Sequence, residues 1–110
     1  MINATLCTTN SKEPWAANVD FEVNGSTWAV GLSSEYAHYN NILQNKNVVV
    51  VYKTANFEML AKGTAHLSEP NANKIAKATI GLSWLRLVEN GTTSDHTDVS
   101  EIERIAISHT

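Results

Sequence analysis

Apolar and polar residues alternate along the first part of the chain. Residues 4–9 are rich in β-formers and are followed by the turn cluster Asn-Ser-Lys-Glu-Pro. In residues 15–23 the apolar side chains recur at every second position, as expected for a strand with one packed face and one polar face. The Asn-Gly-Ser sequence at 24–26 favours a tight turn, because Asn-Gly accepts positive φ angles, and residues 27–32 follow as a third strand. The pattern therefore predicts three consecutive antiparallel strands.

The rest of the chain combines strands with two helical segments. Residues 35–44 are predicted to form a short helix, since Tyr39, Ile42 and Leu43 recur at helical spacing after a serine suited to the N-cap. The valine-rich run at 48–54 is typical of a strand buried on both faces. In the next strand, Gly63 predicts a bulge or a close backbone approach. The remaining predictions are a strand at 59–67, a helix at 71–78, a strand at 82–88, a polar loop at 90–98 and a last strand at 102–108.

Many short strands with closely spaced turns indicate a mostly β fold with short helices. Six or seven antiparallel strands favour a barrel or a sandwich over a parallel sheet. Because no repeat or linker divides the sequence, we expect residues 1–110 to form a single domain. A domain of this size buries about 65% of the surface that its unfolded chain exposes, so we expect one core.

Composition excludes several classes of function. The net charge of −3, without a cluster of basic residues, argues against nucleic acid as a partner. Cys7 is the single cysteine, which excludes an internal disulfide; we expect it to be a small buried apolar side chain in a reducing cytoplasm. No apolar run approaches the roughly 20 residues of a membrane span, and no signal-peptide pattern is present, so no membrane association is expected. The charged share of 17% is low and predicts an oligomer with part of its surface covered.

Sequence motifs of common enzymes and metal sites are missing. There is no Gly-x-Ser-x-Gly, no phosphate-binding P-loop and no Gly-x-Gly-x-x-Gly. None of the four histidines lies in a recognisable context for a nucleophilic serine or cysteine. The Asp-His-Thr-Asp sequence at 95–98 carries side chains that can bind metals, but one histidine in a polar segment is typical of a surface loop. No metal site is therefore predicted.

The order of these segments resembles the pyridoxamine 5'-phosphate oxidase-like family of FMN-binding split β-barrels. The resemblance covers roughly residues 4–88. The opening hairpin "ATLCTTNSKEPWAANVDFEV", the strand "TWAVGLSS" that runs into a helix, and "AKGTAHL" with its Gly-x-Ala each resemble a family segment. The segment "HYNNILQNKNVVVV" resembles the family's Lys-x-x-Asn-Leu, polar turn and valine-rich strand. Each segment is short, and the ordered set carries the similarity.

This resemblance implies a homodimer of antiparallel split β-barrels with FMN at the subunit interface. It places Ser33 and Ser34 in the positions of the hydroxyls that hold the FMN phosphate, and His38 where a lysine is usual. A helix N-terminus suits such a site, because its free N–H groups and macrodipole attract anions. Asn41 matches a family asparagine that braces the local structure. The isoalloxazine ring is implied to lie along the second strand, at Asn18, Val19 and Asp20.

A second group of candidate residues lies near the end of the resemblance. Trp84 is a candidate to face the flavin ring of the partner subunit. Arg86, two residues further along the chain, is a candidate to pair with negative charge there. The family resemblance implies a flavin-dependent oxidoreductase that exchanges electrons with a small molecule, and the single cysteine favours the cytoplasm.

Departures from the family pattern leave alternatives open. The ending lacks the Trp-x-Pro and Arg-x-Glu sequences of true pyridoxamine phosphate oxidases, so that activity is not expected. The family's first helix has no counterpart before the first strand, and His38 replaces a cation with a side chain that is mostly neutral at pH 7. A cofactor-free binding or structural module, or the same fold with a deazaflavin or haem, is the alternative.

Each candidate residue also has a simpler interpretation. Ser33 and Ser34 are suited to capping a helix, and His38 to a solvated position on an exposed helix face. Asn18 and Asp20 would equally form the solvent face of a hairpin. Tryptophans at strand positions, Trp84 included, are typical of cores and interfaces.

Overall fold

A closed six-stranded antiparallel barrel, with one added strand and one helix, makes up the described part of the chain. The computed structural model describes residues 1–25 and 27–98. Its elements are β1 (Ile2–Thr9), β2 (Pro14–Asn24), β3 (Thr27–Ser33), α1 (Ala37–Gln44), β4 (Asn47–Thr54), β5 (Phe57–Leu67), β6 (Ile75–Glu89) and β7 (Thr92–His96). Helix α1 has eight residues, and no helix of the described residues is long and apolar enough to cross a membrane.

The strands follow one another around the barrel in the order β3-β2-β1-β4-β5-β6, and β6 closes it by pairing with β3. Strand β6 has 15 residues, and one of its edges pairs with two different strands along its length. Its first half pairs with β3 and its second half with β7, while β5 pairs with both halves. The predicted mostly β class and antiparallel barrel are confirmed.

Alternation along the strands fills the barrel with apolar side chains. Inward positions such as Leu6, Val50 and Ile80 are fully buried. Phe21 and Trp28 meet edge to face with ring centroids 5.3 Å apart, a favoured aromatic geometry. Helix α1 packs against β1, β3 and β5 and contributes Ile42 to this core.

The predicted helix at 71–78 is wrong. The side chain of Asn71 accepts hydrogen bonds from the N–H groups of Asn73 and Ile75, which holds a turn, and Lys74 adopts a positive φ of 63°. Strand β6 begins directly after this turn, at Ile75. From Ala76 onward every second side chain is buried, a period of two that a helix would not show. The strand predicted at 82–88 is the second half of this longer strand.

The polar loop predicted at 90–98 is also corrected. Asn90 and Gly91, with φ angles of 51° and 77°, form a tight turn, and β7 returns antiparallel to β6. This turn repeats the Asn-Gly signal that correctly predicts the β2–β3 turn, where Gly25 has a φ of 64°. The strand predicted at 102–108 lies outside the described residues.

Strand β4 is buried on one face, not on both as predicted. Val48 and Val50 point into the core, whereas Val49 and Val51 are half-buried on the outside of the barrel. The run of valines therefore satisfies the core and also builds an apolar outer surface. Both alternatives predicted for Gly63, a bulge and a close backbone approach, are confirmed. The β5–β6 register shifts there, and the two backbones approach closely.

Candidate functional site

Strands β2 and β3 separate after a short ladder, and this separation forms a cleft in the barrel wall. Their pairing covers only Glu22–Asn24 of β2 and Thr27–Ala29 of β3. Beyond it, β3 pairs on its other side with β6 as far as Ser33, and β2 pairs with β1 as far as Pro14. The facing edges of β2 and β3 therefore have no strand partner among the described residues. We call this opening the split cleft.

Most of the predicted cofactor-binding residues lie along the two sides of the split cleft. If the β2–β3 register continued, Ser33 would lie opposite Asn18; instead the strands diverge between them. Asp20 lines a cavity of about 300 Å³ at the start of the divergence, with Gly31 on the β3 side and Lys77 on β6. Asn18 and Asp20 are exposed, as predicted, and each accepts a hydrogen bond from β1. Val19 points inward and packs against the core.

The Ser33–Ser34 corner differs from the predicted helix cap. Helix α1 begins after Tyr36, which is its N-cap and makes no side-chain capping hydrogen bond. Ser33 Oγ accepts the N–H of Glu35, and the N–H of Ser34 donates to the carbonyl of Lys74 at 2.8 Å. The two serines thus shape the turn before the helix. Their assignment to a phosphate stays a prediction.

A cation that the sequence patterns did not indicate lies at this corner. Lys74 Nζ is 2.8 Å from Glu35 Oε1, and both side chains are largely exposed. Lys74, with its positive φ, is the last residue of the turn that Asn71 holds, and the Lys74 carbonyl accepts the N–H of Ser34. Because residues 71–78 were expected to form a helix, Lys74 was not predicted to lie at this corner. The repeated asparagines before Lys74, which favour turns, are the signal that could have indicated its position.

His38 is buried, and its predicted position on an exposed helix face is wrong. Its side chain is 5% exposed, and Nδ1 lies 2.7 Å from Thr8 Oγ1. Asn41 donates to the same hydroxyl and accepts from Asn10, as expected for a bracing residue. Nε2 of His38 is buried without a partner among the described residues. Burial lowers the pKa of His38, so the imidazole is neutral at pH 7 and brings no charge to the helix start.

Trp84 and Arg86 lie outside the split cleft, on the outward face of the second half of β6. Across β1, β4, β5 and β6 the outward side chains Cys7, Val49, Val51, Leu60, Trp84 and Val88 are all half-buried, and we call them the outer strip. Outward faces of antiparallel sheets are usually polar, so this strip is unusual for a surface that meets only water. Cys7 belongs to it, which corrects the expectation that it is buried; partial burial nevertheless raises the pKa of its thiol.

The bulge beside Gly63 determines what surrounds Trp84. Lys62 pairs with Trp84 and Gly63 with Leu82, so Ser83 is an extra residue and both Ser83 and Trp84 point outward. Lys62 Nζ and Arg86 Cζ lie 4.8 and 5.2 Å from the Trp84 ring centroid. Arg86 also makes a two-point ion pair with Asp95, whose hydrogen bond raises the pKa of Arg86. Asp95 is therefore already engaged, and the described residues contain no cluster of three potential metal ligands.

This architecture is that of the pyridoxamine 5'-phosphate oxidase-related split barrels. A pyridoxamine 5'-phosphate oxidase-related, FMN-binding protein from Nostoc punctiforme shares it with a TM-score of 0.71 at 8% identity, over 87% of this chain and 86% of that one. An F420 reductase matches with a TM-score of 0.67 at 14% identity, over 76% of this chain and 88% of that one.

A haem-binding protein from Mycobacterium smegmatis is similar as well. Its TM-score is 0.75 at 15% identity, and the match covers 96% of this chain and 55% of that protein. Neither a protein-family profile nor a curated protein sequence matches the chain. The shared property is thus the fold, and the proteins that share it are described with three different ligands.

Proposed function

We propose that this chain is an FMN-binding protein that acts as a cytoplasmic flavin-dependent oxidoreductase, distinct from the true pyridoxamine phosphate oxidases. The observation that carries the proposal is the split cleft, which has the unpaired edge of β2 on one side and the Ser33–Ser34 corner on the other. A free strand edge offers N–H and carbonyl groups that can hydrogen-bond the polar edge of a flavin ring. When bound, the flavin would supply the hydride or electron transfer.

The phosphate would bind at the Ser33–Ser34 corner. Hydroxyls of both serines can donate to phosphate oxygens, and Lys74 can exchange its exposed ion pair with Glu35 for a pair with the phosphate. This exchange costs little, because exposed ion pairs contribute at most about 1 kcal/mol. The neutral, buried His38 would act only by fixing helix α1 against β1. The ring would then lie along Asn18, Val19 and Asp20.

The outer strip supports a homodimer. A half-buried apolar surface on the outside of a barrel is satisfied by a second copy that covers it, and the low charged share of the sequence agrees. In such a dimer Trp84 and Arg86 would belong to the subunit interface, from which Trp84 could reach the partner's flavin. A small-molecule electron donor or acceptor would enter between the subunits.

Titration of the purified protein with FMN and riboflavin, side by side, tests the cofactor assignment. We expect a yellow complex absorbing near about 450 nm and at least about tenfold tighter binding of FMN, because only FMN carries the phosphate. A double variant, Ser33→Ala with Ser34→Ala, should remove this preference and leave riboflavin binding unchanged. Ser83→Ala, a serine outside the cleft, is the matched control. Equal affinity for both flavins would refute the phosphate site, and binding of neither would refute the function.

Haem is a second candidate, supported by the similarity over 96% of this chain to a haem-binding protein. His66 points outward on β5, and the described residues give its imidazole no hydrogen-bond partner, so it could serve as an axial ligand. Titration with haemin, followed at the Soret band with His66→Ala as the comparison, distinguishes this candidate from FMN. A deazaflavin can be tested in the same titration series, and a protein that binds none of these would be a cofactor-free module.

A further inference from the structure

A second cavity lies next to the bulge and apart from the split cleft, and its lining includes only Cys7 and Val49 of the outer strip. Its volume is about 470 Å³, within the range of small-molecule sites. Five strands and the end of α1 supply its lining, which consists of Cys7, Thr8, Thr9, Pro14, Asn45, Asn47, Val48, Val49, Lys62, Gly63, Thr64 and Ser83. No residue assigned above to the flavin lines this cavity.

Lys62 is the single charged residue of this lining. Its cross-strand neighbours are Val49 and Trp84, so no carboxylate lies directly opposite it. Lys62 makes no salt bridge with any described residue, whereas Lys74 and Arg86 each have an acidic partner. The ammonium group rests instead against the Trp84 ring, 4.8 Å from its centroid. Lys62 is thus an exposed cation at the cavity, held over an aromatic ring without a counter-ion, which favours an anionic ligand.

Polar groups suited to an anion lie on the same wall. Asn47 and Thr64 are cross-strand partners with exposed side chains, and these side chains find no hydrogen-bond partner among the described residues. Opposite them, Cys7 and Val49 give an apolar surface. The cavity thus combines one charge, two free polar side chains and an apolar wall, an arrangement typical of sites for amphipathic small molecules.

We propose that this cavity binds a small organic anion, with the acid group paired to Lys62 and the apolar body against Val49 and Cys7. The extra residue Ser83 makes the site possible, because the bulge turns Trp84 outward so that its ring supports Lys62. This inference goes beyond the proposed flavin function and does not depend on it. No residue of the cavity lining is assigned to the flavin, and Trp84, which supports Lys62 from outside the lining, is the one residue that both proposals use.

Two fluorescent dyes with the same aromatic body test the proposal. Anilinonaphthalene sulfonate carries an acid group, and phenylnaphthylamine lacks it. We expect the sulfonate dye to bind with one site per chain and at least about tenfold more tightly than the neutral dye. Lys62→Met should remove most of this difference while leaving the neutral dye unaffected. Tryptophan emission should change with the sulfonate dye, because the dye pairs with Lys62 next to the Trp84 ring.

Matched variants separate this site from general dye binding. Lys53→Met removes the same charge from the same outer face of the barrel but outside the cavity, and should leave both affinities unchanged. Val49→Trp fills the cavity from its apolar wall and should abolish binding of both dyes while the far-ultraviolet circular dichroism stays native. Equal losses in Lys62→Met and Lys53→Met would overturn the proposal, as would equal affinity of the two dyes for the original protein.

A competition measurement relates this site to the flavin. The sulfonate dye should bind with the same affinity in the presence of saturating FMN. If FMN displaces the dye, and Lys62→Met weakens both, the cavity is the flavin site itself and the proposal of a separate site is refuted. The dye result is independent of whether FMN binds, so a failure of one proposal is distinguishable from a failure of the other.

Discussion

At the scale of single residues, His38 joins helix α1 to strand β1. Its Nδ1 shares a short hydrogen bond with Thr8 Oγ1, and Asn41 donates to the same oxygen. Since Thr8 accepts from Asn41, its own proton can be donated to a neutral His38, which then acts as an acceptor at Nδ1. Protonation of the imidazole would end this arrangement and place an unpaired charge in a buried site. The helix is therefore docked by a neutral histidine.

This arrangement predicts a pH-dependent stability. Burial lowers the pKa of His38 in the folded state, so the unfolded chain binds the proton more readily. The contribution is fully present above the unfolded pKa near about 6.5, and it is lost as the pH falls from there through the lower folded pKa. Urea unfolding at a series of pH values should show a smaller loss of stability on acidification for His38→Gln than for the original protein.

His66, which is exposed on β5, provides the control. His66→Gln should keep the original dependence on pH, because the His66 side chain is exposed on β5 and takes no part in the contact between α1 and β1. If His38→Gln and the original protein lose stability in parallel between neutral and mildly acidic pH, the neutral-histidine account is wrong.

The helix face could be predicted from the sequence only in part. Spacing favoured Tyr39, Ile42 and Leu43, but the buried residues are His38, Asn41 and Ile42, and Leu43 is 60% exposed. Apolar periodicity misassigned this face because His38, through Nδ1, and Asn41 make hydrogen bonds inside, with partners on β1 and in the turn after β1. Such partners are distant in sequence, and no local pattern identifies them.

At the scale of the elements, Gly63 is a position where β6 approaches β5 too closely for a Cβ atom. A Cβ atom there would lie 2.6 Å from the carbonyl oxygen of Gly81 and 2.9 Å from Ile80 Cγ2. Backbone atoms cannot give way cheaply, so we expect Gly63→Ala to lower the free energy of unfolding by about 1–3 kcal/mol. Gly81→Ala is the matched control. Its Cβ would meet no atom within 4 Å, and we expect a change below about 1 kcal/mol.

Equilibrium urea unfolding of both variants measures the difference. The same pair should separate in dye binding, because a shifted bulge moves Trp84 and Lys62. If Gly63→Ala is as stable as Gly81→Ala, the close approach at the bulge does not constrain the sheet.

Strand prediction succeeded where alternation was long and failed where turns competed with it. The first three strands follow from alternation and the Asn-Gly turn. A helix was predicted for residues 71–78, directly after Pro70, whereas the alternating burial from Ile75 onward belongs to a strand that pairs with β3. That pairing joins strands more than 40 residues apart, so tertiary contacts decide the conformation.

At the scale of the whole molecule, the barrel has two distinct surfaces for function. The split cleft arises because β3 leaves β2 to pair with β6, which no single segment of the sequence encodes. The predicted residues on β2 and at the end of β3 were chosen from the family resemblance, and the topology places both groups along this cleft. Trp84 and Arg86 lie instead on the outer strip. The family resemblance thus identified the candidate residues, but only the three-dimensional fold shows which of them lie together.

The outer strip leads to a prediction about assembly. Val51 and Leu60 pair across β4 and β5 within it, and Leu60 pairs on its other side with Arg86, whose charge is matched by Asp95. Stable interfaces bury roughly 800 Å² on each partner around an apolar centre, and a charge placed there without a counter-ion costs several kcal/mol. We therefore expect the protein to have twice the mass of a single chain in light scattering, and Leu60→Arg to shift it to the mass of one chain.

Leu43→Arg is the matched control, because Leu43 is exposed on α1 and lies outside the strip. It should leave the mass unchanged, which separates loss of the interface from a general effect of an added arginine. Native circular dichroism of Leu60→Arg would show that the barrel persists without its partner. A dimer that withstands Leu60→Arg would place the subunit contact elsewhere, and Trp84 would then have no route to a partner's flavin. The cofactor site at the split cleft would have to be complete within one chain.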